Sequence, residues 1–160
     1  MPVSVESIAG LEFFSGLPDW AVQIVAQGAH EVSYDAGDVM LHQHDEVEVA
    51  SFLLSGSVQF LLQFEGVHDL LVGATAEAGG LIGWSMFRAP YRSTATVRCY
   101  RPCRLLTVPR EAFDEIFVRD PRLHYNILRR VASVAAGRLM RSRQILLLAP
   151  EQNPPEGAGY

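Results

Sequence analysis

Between Val32 and Val108 apolar residues alternate with polar ones or run in short blocks, with Gly, Asp or Pro between them, and from Arg110 onward the period becomes that of a helix. That switch is the strongest constraint on the fold, because a strand pattern and a helical pattern cannot share one segment. Short strands punctuated by turn residues close on themselves as a roll or barrel rather than opening into a parallel sheet. Phe113, Ile116 and Phe117 then give one helical face, and Leu123, Ile127, Leu128, Val131, Val134, Ala135 and Leu139 give a second, longer one. A length of 160 residues with 49% apolar content suits a single domain with a sizeable core. The reading is α+β: an antiparallel β-roll of the double-stranded β-helix or jelly-roll type, with N-terminal helices and a long C-terminal helix. Its parts are a helical lead-in over 1–29, the roll over 30–109 and C-terminal helices over 110–149. The tail 150–160, rich in Pro, Gly and Glu, is expected to be disordered, as a linker, a partner-binding peptide or an inert end.

The segment from Gly83 to Leu105 carries the most specific chemistry. A Gly83-Trp84-Ser85 turn precedes Arg92-Ser93-Thr94-Ala95-Thr96-Val97. This resembles the phosphate-binding cassette of the cyclic nucleotide-binding superfamily. There, a short helix after a glycine offers backbone N–H groups to the cyclic phosphate, a carboxylate following the glycine accepts from the ribose hydroxyl, and an arginine forks onto the phosphate. Gly83 fits the pattern, but Trp84 stands where the carboxylate belongs. Counting back from Thr96-Val97, the arginine position falls on Ser93, and Arg92 lies one residue early. On a strand, a one-residue offset turns a side chain to the other face unless a bulge restores it. The loss of the carboxylate alone removes a charge-assisted hydrogen bond worth roughly 1.5 to 3 kcal/mol, or about one to two decades of affinity. If an anion binds, the resemblance points to the amides of Gly83, Trp84 and Ser85 with Arg92 and the Thr94 hydroxyl. Trp84 itself has two readings: it fills the pocket, or its ring forms one wall of an altered site.

The resemblance extends from Leu11 to Leu139. Leu11-Glu12-Phe13-Phe14 and Trp20–Val25 are similar to the family's leading helices, and Tyr34–Met40 to its first strands around a glycine turn. Phe52-Leu53-Leu54-Ser55-Gly56-Ser57-Val58-Gln59-Phe60 is similar to its central strand-glycine-strand pattern, and Arg110–Phe113 and Asp120–Leu123 to its closing helices. In that family the last helix moves when ligand binds and passes the change to a partner domain. Here Ile127, Val131, Val134, Arg138, Arg141, Ile145 and Leu148 repeat at alternating steps of four and three, like a dimer seam with two arginines inside it. The other reading is an amphipathic helix that packs on its own roll through Leu128, Ala135 and Leu139.

A second constellation resembles the first metal motif of cupins. His42, His44 and Glu48 lie between Gly37 and Gly56, and on a strand the two imidazoles would share one face and suit a divalent metal. The second cupin motif is missing, since Gly73–Gly80 contains no histidine. Helices at both ends favour the nucleotide-binding resemblance, in which His42 and His44 are exposed turn residues.

Other classes find little support. The formal charge is -5, and all 13 basic side chains are arginines, crowded from Arg98 to Arg130 with Arg138, Arg141 and Arg143 beyond. Solvated helix faces explain that crowding, and no helix-turn-helix of the catabolite-activator type follows the long helix, so DNA binding is not expected. The start lacks a signal-peptide pattern, and the apolar block Ile145–Ala149 is too short to span a bilayer, which makes cytoplasmic residence the expectation. Cys99 and Cys103 flank Arg101-Pro102, where a tight turn would bring two strands together; they are read as core thiols. No hydrolase or phosphate-loop motif is present. The expected function is a non-catalytic sensor module without cofactor, with weak or altered cyclic nucleotide binding, acting as a homodimer through its last helix or on a separate protein. The alternatives are a ligand-free interaction scaffold and a cupin-like metal enzyme.

Overall fold

The computed structural model describes residues 3–66 and 68–148. Four helices (α1 Val5–Ala9, α2 Asp19–Gly28, α3 Arg110–Arg119, α4 Pro121–Leu148) bracket six strands (β1 His30–Tyr34, β2 Val39–Leu41, β3 Val49–Leu62, β4 Leu70–Thr75, β5 Leu81–Ile82, β6 Thr96–Pro109). The fold is the expected α+β roll. Every pairing is antiparallel; the main path runs β1-β6-β3-β4, with β2 added on β6 and β5 on β3.

Two 14-residue strands, β3 and β6, form the spine. Strands this long must bend to close a roll, and the bend sits where their register slips between Ser55 and Val58. Gly56 makes it possible: its φ is 96°, and a Cβ there would stand 2.2 Å from the Pro102 carbonyl oxygen. Pro102 is thus accommodated at an irregularity of a continuous strand. The tight turn expected at Arg101-Pro102 does not form, because β6 runs through it. Cys99 and Cys103 lie on that one strand, both buried and unbridged.

Two cores result. One joins the helices to the outside of the roll, with Phe14 and Phe52 at 4.8 Å between ring centroids and Phe113 beside them. The other fills the roll with Leu53, Val58, Phe60, Val72, Val97 and Leu105. α2 contributes Ala21, Val22, Ile24 and Val25 to the first core, the apolar stripe its sequence spacing provides. α3 stops at Asp120 because the residue before a proline is disfavoured in helical conformation. Asp120 adopts an extended backbone, and its carboxylate accepts from the Arg122 N–H at 2.8 Å, starting α4 anew with Pro121 in its first turn.

α4 meets the roll through parts of both series read from its sequence. Ile127 and Val131 are buried in the helical core, Val134 packs against it, and Arg138 reaches the chain's own strands. Of Leu128, Ala135 and Leu139, the alternative set for packing on the roll, Leu128 is exposed, while Ala135 and Leu139 border an open space between helix and roll without being buried in a core. The first half of the seam-like series, Ile127 to Arg138, thus docks on this chain's own roll beside β4 and β5, while Arg141 and Leu148 of the same series are exposed. The expected tail 150–160 lies outside the described residues.

Candidate functional site

Pairing of β5 with β3 brings Phe52 opposite Leu81 and Ser51 opposite Ile82, so the chain leaving β5 passes hard against Val49. Gly83 makes that passage. Its φ of 81° is left-handed, and a Cβ would stand 2.8 Å from the Val49 carbonyl oxygen and 3.2 Å from Val47 Cγ1. A short 3-10 turn, Trp84–Phe87, follows at once. Met86 donates its N–H to the Gly83 carbonyl at 3.0 Å, whereas the Trp84 and Ser85 amides precede the first turn and have no acceptor within it. Met86 is buried in the helical core, and Phe87 meets Phe113 edge to face at 4.9 Å, which fixes the turn from behind.

The loop after this turn is tied to residues 43–47. Val47 donates to the Tyr91 carbonyl at 2.7 Å, and Ser93 and its neighbours exchange backbone bonds with His44 and Asp45, each at 2.8 Å. Tyr91 adopts φ 61°, and the Arg110 guanidinium covers its ring at 4.2 Å while donating to the Val47 carbonyl. In this setting Arg92 pairs with Glu46 as an isolated bridge and donates to the His44 carbonyl at 2.9 Å. It is exposed on the outer side of the loop. Thr96, fully buried, donates to Gln63 Oε1 at 2.8 Å and accepts from the Gln43 N–H at 3.0 Å.

Between the turn, the loop, the open end of the roll and α4 lies a cavity of about 840 Å³, within the range of small-molecule sites. Gly83, Trp84, Ser85, Ser93 and Thr94 border it; Arg92 does not. The one-residue offset thus turns the arginine away, and no bulge restores it. Trp84 is half-buried against the helical core and forms a wall, with the cavity open beside it.

A cation absent from the sequence-based site enters from α4. Arg138 lines the cavity, donates to the Leu81 carbonyl and lies 4.2 Å from the centroid of the Phe60 ring. Burial, with Arg141 adding repulsion, pushes its pKa down to about 10, so it remains a cation at neutral pH. It has no carboxylate partner among the described residues. One turn further on, Ser142 donates to the Val72 carbonyl at 2.8 Å. α4 is therefore fastened to the cavity rim at both β5 and β4. Helical spacing puts Arg138 on one face with Ile127, Val131 and Val134 but gives no sign that this face borders a cavity.

The cupin-like constellation does not assemble. His42 and His44 are exposed in a turn rather than aligned on a strand, because the Asp45 carboxylate accepts from the His42 N–H at 3.0 Å and His44 takes a left-handed φ of 73°. Glu48 is exposed further along. Among the described residues no cluster of three metal-ligating side chains exists, and no helix is long and apolar enough to cross a membrane.

Comparison with known proteins agrees with this architecture. The family model for the cyclic nucleotide-binding domain matches residues 31–120. No curated protein sequence matches the chain. Among solved structures, a candidate cyclic nucleotide-binding protein from Geobacter metallireducens GS-15 is 23% identical, with 86% of this chain and 98% of that one covered and a TM-score of 0.74. The regulatory domain of Toxoplasma gondii protein kinase A, solved with cAMP, is 16% identical over 83% of this chain and 48% of that one, with a TM-score of 0.68. The regulatory subunit of a cAMP-independent protein kinase A from Trypanosoma brucei is 18% identical over 81% of this chain and 46% of that one, at a TM-score of 0.66.

Proposed function

The chain belongs to the cyclic nucleotide-binding domain family, and on that premise we propose that it is a non-catalytic, cytoplasmic regulatory module whose cavity takes a small ligand other than a tightly held cyclic nucleotide. The observation that carries this reading is the split between cavity and cassette. The cavity is open at about 840 Å³, yet Trp84 stands in place of the ribose carboxylate and Arg92 points to the His44 carbonyl outside it. Occupancy is coupled to α4, since Arg138 and Ser142 of that helix hold the rim and a ligand that contacts either shifts the helix population. The output is a homodimer formed through the outward face of α4, where Met140 and Leu147 are exposed, or contact of that face with a separate regulated protein.

Calorimetric titration with cyclic AMP and cyclic GMP tests the reading, with Trp84→Glu and Arg92→Ala beside the wild type. Wild-type binding is expected to be weaker than about 100 μM, one to two decades below a site with the intact carboxylate contact, and Arg92→Ala is expected to leave it unchanged. Micromolar wild-type binding that Arg92→Ala abolishes would refute the reading.

A further inference from the structure

We propose that the cavity's ligand is an amphipathic monoanion, an apolar body with a single carboxylate-like head, and that Arg138 on α4 is the partner of that head. This rests on the reading that the cavity takes a small ligand, and it names the chemical class.

The charge distribution of the cavity is the first ground. A guanidinium carries five N–H donors in a rigid fork suited to a carboxylate. Arg138 commits one of its hydrogen bonds to the Leu81 carbonyl and presents its face to Phe60, and no carboxylate neutralises it among the described residues. Arg138 is half-buried, and a partly desolvated cation without a counter-ion gains from an anionic partner. The anion that would complete it has to come through the cavity that Arg138 lines.

The rest of the wall limits how much charge that anion carries. Phe60, Leu62, Val72, Trp84, Val97 and Val134 surround the space with apolar surface, which favours an apolar body. The other charged groups on the wall, Arg141 and Glu77, are opposite in sign and both exposed, which leaves Arg138 as the charge set against the apolar surface. The Ser93 hydroxyl is engaged by the Ala95 carbonyl at 2.6 Å, so it is not free to recognise a sugar. A ligand with an apolar body and one anionic head thus matches the apolar wall and the Arg138 guanidinium together, whereas a polyhydroxylated body would lay its hydroxyls against Phe60, Leu62, Val72 and Val97.

Octanoate and 1-octanol share a body and differ at the head, and each is titrated calorimetrically into the full chain at pH 7.5, alongside cyclic AMP. Octanoate is expected to bind at least about tenfold more tightly than octanol, the scale of one charge-assisted hydrogen bond. Arg138→Gln should bring that ratio close to one, and Arg138→Lys should retain part of it, with circular dichroism confirming that each variant is folded. The wild-type ratio stands without any variant. Equal binding of octanoate and octanol, or a ratio that survives Arg138→Gln, overturns the proposal and leaves Arg138 as a fastening for α4. Binding of cyclic AMP but not octanoate also overturns it, while leaving a ligand-binding cavity in place. Silence from all three probes overturns both the proposal and the reading on which it rests.

Discussion

Replacing Gly83 by alanine separates two costs that usually come together. The first is conformational: a residue with a Cβ at φ 81° is strained by roughly 1 to 2 kcal/mol. The second is steric, since the new Cβ would lie 2.8 Å from the Val49 carbonyl oxygen, a backbone atom that cannot swing aside. Relief requires moving β5 away from β3 or the Trp84 turn away from both, an overpacking cost of roughly 1 to 3 kcal/mol. Gly37 supplies the control, because its φ of 93° is comparable but nothing lies within 4 Å of an added Cβ. Gly83→Ala should therefore destabilise by about 3 kcal/mol and Gly37→Ala by about 1 to 2 kcal/mol. For a chain of this length that corresponds to a fall in Tm of about 6 to 12 °C for the first and roughly half that for the second. Urea denaturation with constant m, checked by thermal melts, measures both. Equal losses at the two glycines would show that the approach of Gly83 to Val49 does not restrict the cassette, and would refute the account of how the turn is positioned.

Cys99 offers a chemical test. Burial, a hydrogen bond with Cys103 and the latter's charge push its thiol up to about 12, so iodoacetamide at pH 7.5 should label it only as fast as the protein unfolds; rapid labelling of the native state would contradict the placement of β6. Asp69 offers a test by pH. Gln63 at 3.1 Å and Arg98 at 2.8 Å hold its carboxyl below the ordinary value of 3.8. The stabilisation is therefore complete above that value and is lost as pH falls through the depressed one. Asp69→Asn should lower the urea midpoint slightly at pH 7, and the gap between variant and wild type should narrow as pH is taken below 3.8; a gap that widened or held constant over that fall would refute the pairing.

The strand-to-helix switch after Val108 and the glycines at 56 and 83 were legible because each answers to a local rule: a period, or a backbone conformation that only glycine accepts without strain. Arg92 was only half legible: its one-residue offset against Thr96-Val97 is visible, but the sequence leaves a restoring bulge open and Arg92 among the anion-binding groups, and it is the contact with the His44 carbonyl that decides its aim. Arg138 was not legible as a site residue. Ile127, Val131, Val134 and Arg138 share a face by spacing alone, and spacing does not say whether that face meets the chain's own roll or a second copy; only the placement of β4 and β5 decides it. Pro102 misled for a related reason. A proline between two apolar runs reads as a turn, and its tolerance inside β6 depends on Gly56, which is remote in sequence and lies across from it at the register slip. His42 and His44 were ambiguous until the Asp45 side chain closed the turn around them.

The continuity of α4 over 28 residues gives it the mechanics of a lever. Its fulcrum is Val131, the last of its residues buried in the helical core. At 1.5 Å of rise per residue, Arg138 stands about 10 Å beyond that point and Leu148 about 26 Å. A displacement of about 1 Å where Arg138 meets the cavity therefore reaches the end of the helix as about 2.5 Å. No hinge intervenes, since proline is confined to the first residue of α4 and Gly137 keeps its helical backbone, so the movement is transmitted once the Ser142 bond to the Val72 carbonyl yields with that of Arg138. A movement no larger than the exchange of one hydrogen-bond acceptor for another at the rim thus becomes, at the far end, a shift of about half a helical turn's rise.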